Sequence, residues 1–213
     1  MARSRAHEAA THLSAVGRRF YERNWVLGTS GNFSAVVSRD PLRVTITPSA
    51  AHKGTLTVRE FLTVDERGEL VGRRSGRPSA ETGLHLAIVA ARAAGAVLHT
   101  HSVWGTILSD SHAAAHGLVL EGFEMLKGLA GVRTHAHREW VPILENDQDM
   151  VRLAGQVRHA LAGAPAAHAF LLRGHGLYTW GATIAEAERH VEILEFLLEA
   201  VGRRDSHGHR HHS

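Results

Sequence analysis

Residues 95–101 read Gly95-Ala-Val-Leu-His-Thr-His101, and residues 169–176 read Ala169-Phe-Leu-Leu-Arg-Gly-His-Gly176. Each is a short apolar run that ends in histidine. Apolar runs of this length beside glycine fit buried strands better than helices, which need a longer periodic stretch. Side chains alternate faces along a strand, so His99 and His101 project from the same side at its end. The second run carries His175 in a glycine-flanked turn and is followed by another apolar run, Leu177 to Trp180. Two adjacent imidazoles and a third from a neighbouring turn give three protein ligands, the number found in open, catalytic zinc sites. The expectation is a metalloenzyme with His99, His101 and His175 as metal ligands.

Outward from these strands, helical and strand patterns intermix along the chain. Ala9, Leu13, Val16 and Phe20 recur at three- and four-residue steps, an amphipathic helix that ends before Gly28. Ala35 to Ser38 and Leu42 to Thr47 read as strands around an Asp40-Pro41 turn, and residues 61–64 and 69–71 as a further hairpin. Ser79 is expected to cap a helix running to about Ala94 and stopped by Gly95. Ser102 to Leu108 reads as a short helix and Leu118 to Leu120 as a strand, while residues 123–137 mix helical and strand signals. Asn146 or Asp147 should cap a helix with Met150, Leu153, Val157, Ala160 and Leu161 on one face. Thr183-Ile-Ala-Glu186 is a capping box opening a last helix to about Val201, with Gly202 beyond it. The fold class expected is α/β, a three-layer αβα domain around a mixed, largely antiparallel sheet. Residues 1–204 form one domain in this reading, and residues 205–213 a histidine-rich polar tail.

Composition narrows the function. The chain has 213 residues, 44% of them hydrophobic and 21% charged, enough for one substantial core. It has no cysteine, so imidazole and carboxylate are the metal ligands on offer. No apolar stretch approaches the length of a membrane span, and the N-terminus lacks a signal-peptide core, so a cytoplasmic location and no membrane partner are expected. The arginines are scattered and aromatic residues do not interleave with them, which argues against nucleic acid as a partner. The chain has 18 histidines, so a His-x-His pair alone is weak evidence. His207, His209, His211 and His212 belong to the tail, and His135 with His137 are followed directly by Arg138 and Glu139. Neither group is assigned to the metal site.

Three hydroxyl- or glycine-bearing loops are candidates for anion binding. Gly28-Thr-Ser-Gly-Asn-Phe-Ser34 follows a helix and precedes a strand, so it is neither a P-loop nor a dinucleotide fingerprint. Thr47-Pro-Ser-Ala50 and Arg77-Pro-Ser-Ala-Glu81 are the other two, the latter at a helix N-terminus. Glu81 and Glu124 are the candidate acid/base carboxylates. Glu124 lies among Phe123, Met125 and Leu126, which are expected to desolvate it and raise its pKa.

In order along the chain, Gly28-Thr-Ser-Gly-Asn-Phe-Ser34, Thr47-Pro-Ser49, Pro78-Ser-Ala-Glu-Thr82, His99-Thr-His101 and Arg173-Gly-His-Gly176 resemble the class II sugar-phosphate aldolases and ribulose-phosphate 4-epimerases. The resemblance covers about residues 7–201. It implies one zinc ion per subunit on His99, His101 and His175, and a phosphate held by Gly31, Asn32, Ser49 and Ser79. Ala50 and Ala80 depart from the family pattern, which has glycine at the first position and commonly serine at the second. Phe123-Glu-Met-Leu-Lys-Gly-Leu129, Thr134-His-Ala-His137, Val141-Pro-Ile143 and Asn146 look like the methylthioribulose-1-phosphate dehydratase branch, a step of methionine salvage. That branch implies Glu124 as acid/base, whereas the aldolases imply Glu81. The resemblance further implies a homotetramer with active sites near subunit interfaces and a phosphorylated ketose as substrate. An aldolase or epimerase stays open, as does a non-catalytic interaction module on the same fold.

Overall fold

A computed structural model of the chain describes residues 2–72 and 74–208. One sheet of eight strands runs through it: β1 (Asn32–Arg39), β2 (Leu42–Ile46), β3 (Leu62–Val64), β4 (Ala96–Thr100), β5 (Gly117–Glu121), β6 (Arg138–Leu144), β7 (Ala169–Leu172) and β8 (Gly176–Gly181). Their order is β3-β2-β1-β4-β8-β7-β6-β5, and only the β6–β7 pair is parallel. The expected mixed, largely antiparallel sheet is thus present, and helices cover both faces.

Alternation along the central strands divides the core between those faces. Ala96 and Leu98 of β4 join a cluster with α1 (Ala2–Glu22) and with Ala187 and Val191 of α5 (Ile184–Gly208). Val97, between them, joins the opposite cluster with α2 (Thr82–Arg92) and α4 (Met150–Gly163). β7 divides in the same way, Leu171 to the α5 side and Phe170 with Leu172 to the α2–α4 side. His99 shares the parity of Val97, so its ring emerges on the α2–α4 face and stacks on Tyr178, centroids 3.9 Å apart. Short α3 (Val103–Ser111) starts immediately after the histidine pair, with Ser102 as its N-cap accepting from the Gly105 N–H.

Several boundaries differ from the sequence reading, each for a local reason. α2 starts at Thr82 rather than at Ser79. Ser79 forms a turn ahead of it, its carbonyl accepting from both the N–H and hydroxyl of Thr82. The helix stops at Arg92 because Ala93 turns left-handed at φ 49°, and Gly95 serves instead to let the Ala182 carbonyl approach. The α4 cap is Asp149, whose carboxylate accepts from the N–H groups of Val151 and Arg152, while Asp147 pairs with Arg152. Residues 69–71 contribute only an isolated bridge, Val64 to Leu70. The mixed signal of residues 123–137 resolves into a 3-10 turn at Glu124–Gly128 and a loop that leads into β6. Finally α5 runs through Gly202 to Gly208, because the face of Gly202 lies against the Trp104 ring where a side chain would collide. Residues 205–208, expected to belong to a disordered histidine-rich tail, thus continue the helix, and residues 209–213 lie outside the described residues. Among the described residues, no helix is long and apolar enough to cross a membrane.

Candidate metal centre and cavity

The end of β4 and the turn before β8 bring three imidazoles to one point. His99 Nε2 is 2.8 Å from His101 Nε2 and 3.3 Å from His175 Nε2, and the last two are 3.0 Å apart. The far nitrogens of two rings are already donors. His99 Nδ1–H donates to the Leu177 carbonyl at 2.9 Å, and His175 Nδ1–H to Asn146 Oδ1 at 3.3 Å. In a neutral ring the other nitrogen is then a bare lone pair. Lone pairs converging at this spacing repel one another unless a cation sits among them, and the outer hydrogen bonds are those that orient metal-bound histidines. The donor set therefore fits a divalent metal.

Electrostatics favours the ligating form. Burial, with the neighbouring imidazoles, holds His99 well below the usual histidine pKa. Burial likewise depresses His101 to about 3, with His175 and Lys53 adding to the effect. Burial also lowers His175, against the opposing pull of Glu81. Neutral imidazole is the form that binds metal.

Glu81 sits beside this centre, 13% exposed, with Oε2 3.6 Å from His99 Nε2 and Oε1 3.6 Å from His175 Nε2. Asn32 Nδ2 donates to Glu81, and Asn32 Oδ1 accepts from His85 Nε2–H. His85 Nδ1 accepts from the Ser34 hydroxyl at 2.7 Å. Burial lowers the pKa of His85 to about 3, so the ring is a neutral relay that fixes the Asn32 amide and hence Glu81.

The loops expected to hold an anion do meet here. Gly31, Asn32, Ser49, Ser79 and Glu81 all line a cavity of about 250 Å³ that opens onto His101 and His175. The Ser49 and Ser79 loops are zipped together, Ser49 N–H to the Arg77 carbonyl and Ser79 N–H to the Thr47 carbonyl. Gly31 has φ +72° and packs its Cα face on the His99 carbonyl, where a Cβ would come within 2.6 Å.

Lys53 completes the cavity and is not legible in the sequence. Its ammonium is buried and donates to the carbonyls of Thr29 and Ala51, and burial depresses it to about 8, partly offset by Glu81. Asn146, expected as a helix cap, instead holds His175.

Glu124 departs from its expected environment. It is 71% exposed, bonds to Lys127, and has His135 at 3.7 Å. The hydrogen bond from Lys127 holds its carboxyl below the usual range, the reverse of the expected upward shift. Its apolar neighbours explain the difference. Leu126 turns into the core, while Met125 stays partly exposed and the carboxylate points to solvent. Glu124 does not line the cavity of its own chain.

The pair His135 and His137 also separates. His137 joins Glu139 and His168 in a second group whose ligating atoms lie within 4.8 Å of one another. Here a carboxylate oxygen faces two imidazole N–H groups, at 2.8 Å from His137 and 3.0 Å from His168. Donors meet an acceptor, so protons alone satisfy this cluster. Glu139 and His168 are far apart in sequence and meet only because β6 and β7 are neighbours, so no local pattern identifies either.

Comparison with known proteins places the chain in a family and matches its fold. The family model "Class II Aldolase and Adducin N-terminal domain" matches residues 11–201. A methylthioribulose-1-phosphate dehydratase of Marinobacter nauticus is 45% identical over 192 residues, covering 90% of this chain and 91% of that protein. One from Pectobacterium atrosepticum is 46% identical over 200 residues, covering 93% and 95%. The crystal structure of L-fuculose-1-phosphate aldolase from Thermus thermophilus superposes with a TM-score of 0.72 at 25% identity, covering 97% of this chain and 98% of that one.

Proposed function

Because the chain belongs to the class II aldolase and adducin N-terminal family, we propose that it is a lyase that dehydrates 5-methylthioribulose 1-phosphate, a step of methionine salvage in the cytoplasm. Relatives 45% and 46% identical over nine-tenths of the chain carry the name of that reaction. The observation that carries the reading is the cavity that joins His101 and His175, two of three converging imidazoles, to hydroxyl-, glycine- and lysine-bearing loops. In this reading residues 1–204 are one catalytic domain.

His99, His101 and His175 would hold one zinc ion per subunit. A metal there supplies Lewis acidity toward the substrate oxygens, which eases loss of the proton on C3. The phosphate end belongs among Gly31, Asn32, Ser49 and Ser79, with the Lys53 ammonium adding positive charge. An acid/base carboxylate takes the C3 proton and returns it to the C4 hydroxyl, which leaves as water. The resulting enol tautomerises to a 2,3-diketo-5-methylthiopentyl 1-phosphate with every carbon retained.

Glu124 is our candidate for that carboxylate. The Lys127 hydrogen bond holds it in the ionised form, the form a base must start from. Since it lies off the cavity of its own chain, it would serve the site of a neighbouring subunit in a homotetramer. Val103, Ile107, Met125, Trp140 and Phe196, large apolar side chains left exposed, support such an assembly.

A second reading has its own observation. Glu81 is within 3.6 Å of two ligand nitrogens in the same chain, the placement of an acid/base for cleavage of the C3–C4 bond. Incubating the zinc-loaded protein with 5-methylthioribulose 1-phosphate and following phosphorus and proton NMR separates the two. A diketone phosphate with all carbons supports dehydration. Dihydroxyacetone phosphate and an aldehyde would move the assignment to an aldolase using Glu81.

A further inference from the structure

The 124–130 segment is attached to the body of the protein in two different ways. Leu126 and Leu129 are buried, and Gly128 lies against Ile193. Such apolar contact is non-directional and does not by itself set an angle. The second attachment is directional. Both backbone groups of a single residue, Ala130, are held by histidines. Ala130 N–H donates to His190 Nε2 at 3.1 Å, and the Ala130 carbonyl accepts from His168 Nε2–H at 2.8 Å.

Each histidine is oriented from behind. His190 Nδ1–H donates to the Trp180 carbonyl at 2.7 Å, which leaves Nε2 as the acceptor Ala130 needs. His168 Nδ1–H donates to Glu139 Oε2 at 3.0 Å, and the His168 backbone N–H donates to Glu139 Oε1 at 2.8 Å. Glu139 is 1% exposed, and its Oε2 also accepts from His137. A buried carboxylate thus holds His168 by its Nδ1–H and its backbone N–H, with the ring aimed at one carbonyl. Hydrogen bonds fix distance and angle where packing does not.

We propose that Glu139 and His168 are positioning residues for Glu124, setting through Ala130 where the 124–130 segment presents its carboxylate. The inference rests on the reading of Glu124 as the acid/base group. An acid/base group displaced by about 1 Å loses on the order of 100-fold in rate while substrate binding elsewhere is retained. Glu139 is buried, His168 is only 15% exposed, and neither lines the cavity of its own chain, so their effect is expected at the proton-transfer step.

The test compares Glu139→Gln, Glu124→Gln and the double variant in the full-length chain. His207, His209, His211 and His212 are each replaced by serine so that bound metal can be counted. With 5-methylthioribulose 1-phosphate as substrate, Glu139→Gln lowers kcat roughly 10- to 100-fold, leaves KM within about two-fold, and keeps the wild-type metal content. The double variant is no slower than Glu124→Gln alone, because a misplaced group that is already absent costs nothing further. Wild-type kcat in Glu139→Gln beside an inactive Glu124→Gln overturns the positioning role and leaves the role of Glu124 standing. Full activity in Glu124→Gln overturns both. A loss that adds in full to that of Glu124→Gln also overturns the proposal, as does a second metal equivalent that disappears with Glu139. If Glu139→Gln does not fold, His168→Asn, which keeps a donor toward Glu139 and withdraws the one to the Ala130 carbonyl, is read by the same criteria.

Discussion

His99 and His175 turn bare Nε2 lone pairs toward each other across 3.3 Å, each with its opposite nitrogen bound to a fixed acceptor. Neither ring can rotate to relieve the contact without abandoning a hydrogen bond. The arrangement is therefore poised for a cation. Zinc at 1,000 times its Kd should stabilise the fold by about 4 kcal/mol, read as a rise in Tm over chelator-treated protein. His99→Ala, in the chain with the tail histidines replaced by serine, should bind no metal at this centre. Identical melting with and without zinc would show that the three rings do not form a metal site.

The two carboxylates differ in their surroundings. Glu81 lies 3.6 Å from His99 and His175 of its own chain, whereas Glu124 faces solvent. Replacing an acid/base group typically costs 10²- to 10⁴-fold in rate. Glu124→Gln should fall by roughly that factor while keeping its zinc. Co-expressing His99→Ala with Glu124→Gln chains should then restore activity. In a randomly mixed assembly about a quarter of the sites pair intact histidines with an intact partner glutamate. Failure of the mixture to exceed either parent, with mixed oligomers demonstrated by tagged chains, would place the acid/base group within one chain and favour Glu81.

How much can be read in the sequence depends on how local its cause is. The His99/His101 pairing follows from strand parity over three residues, and the Ser102 and Thr183 helix starts from nearby side chains. Strand β6 escapes a pattern reading because Pro142 interrupts its donors. In the fold Pro142 lies opposite Gly117 on one edge, and the parallel pairing to β7 is confined to Ile143 and Leu144. Glu124 misleads because its neighbours are apolar, and only the 3-10 turn decides that Leu126 goes inward while the carboxylate goes out. Lys53, Glu139 and His168 acquire their environments from strands and loops distant in sequence, so no pattern along the chain could announce them.

The Glu139–His168 pair should leave a signature in stability against pH. Burial alone would lower the pKa of His168, but hydrogen bonding and charge from Glu139 overcome it and raise it above the ordinary value of 6.5. Burial alone would raise Glu139, yet the contacts from His168 bring it below 4.5. A raised histidine contributes fully below its unfolded pKa and loses that contribution as pH rises through the folded one. A lowered carboxylate contributes fully above its unfolded pKa and loses it as pH falls through the folded one. The pair is therefore strongest between the unfolded values, 4.5 and 6.5. Breaking it should cost about 3 kcal/mol there. The Tm difference between wild type and Glu139→Gln should be largest near pH 6 and shrink toward pH 9. A gap that is constant across this range would mean that His168 is not held charged.

Ala50 and Gly176 invert the usual preference for side chain or none, for different reasons. Ala50, where the family pattern has glycine, sits at φ 58° on the wall of the cavity. A left-handed alanine costs roughly 1–2 kcal/mol, and the greater unfolded-chain entropy of glycine returns about 0.4–1 kcal/mol of that. Ala50→Gly should therefore stabilise by about 0.5–1 kcal/mol, a rise of a few degrees at most in Tm, with activity retained. Gly176 has no such backbone strain, yet its Cα lies against the Thr100 carbonyl so closely that an added Cβ would come within 2.0 Å of the oxygen and 3.2 Å of the His99 ring. The carbonyl belongs to the strand that carries His99, so the clash can be relieved only by moving β4 away from β8. Gly176→Ala should lose about 1–3 kcal/mol or more and bind zinc more weakly, both measurable by zinc titration monitored as Tm. A Gly176→Ala chain with wild-type zinc affinity would show that the β4–β8 contact does not set the spacing of His99 and His175.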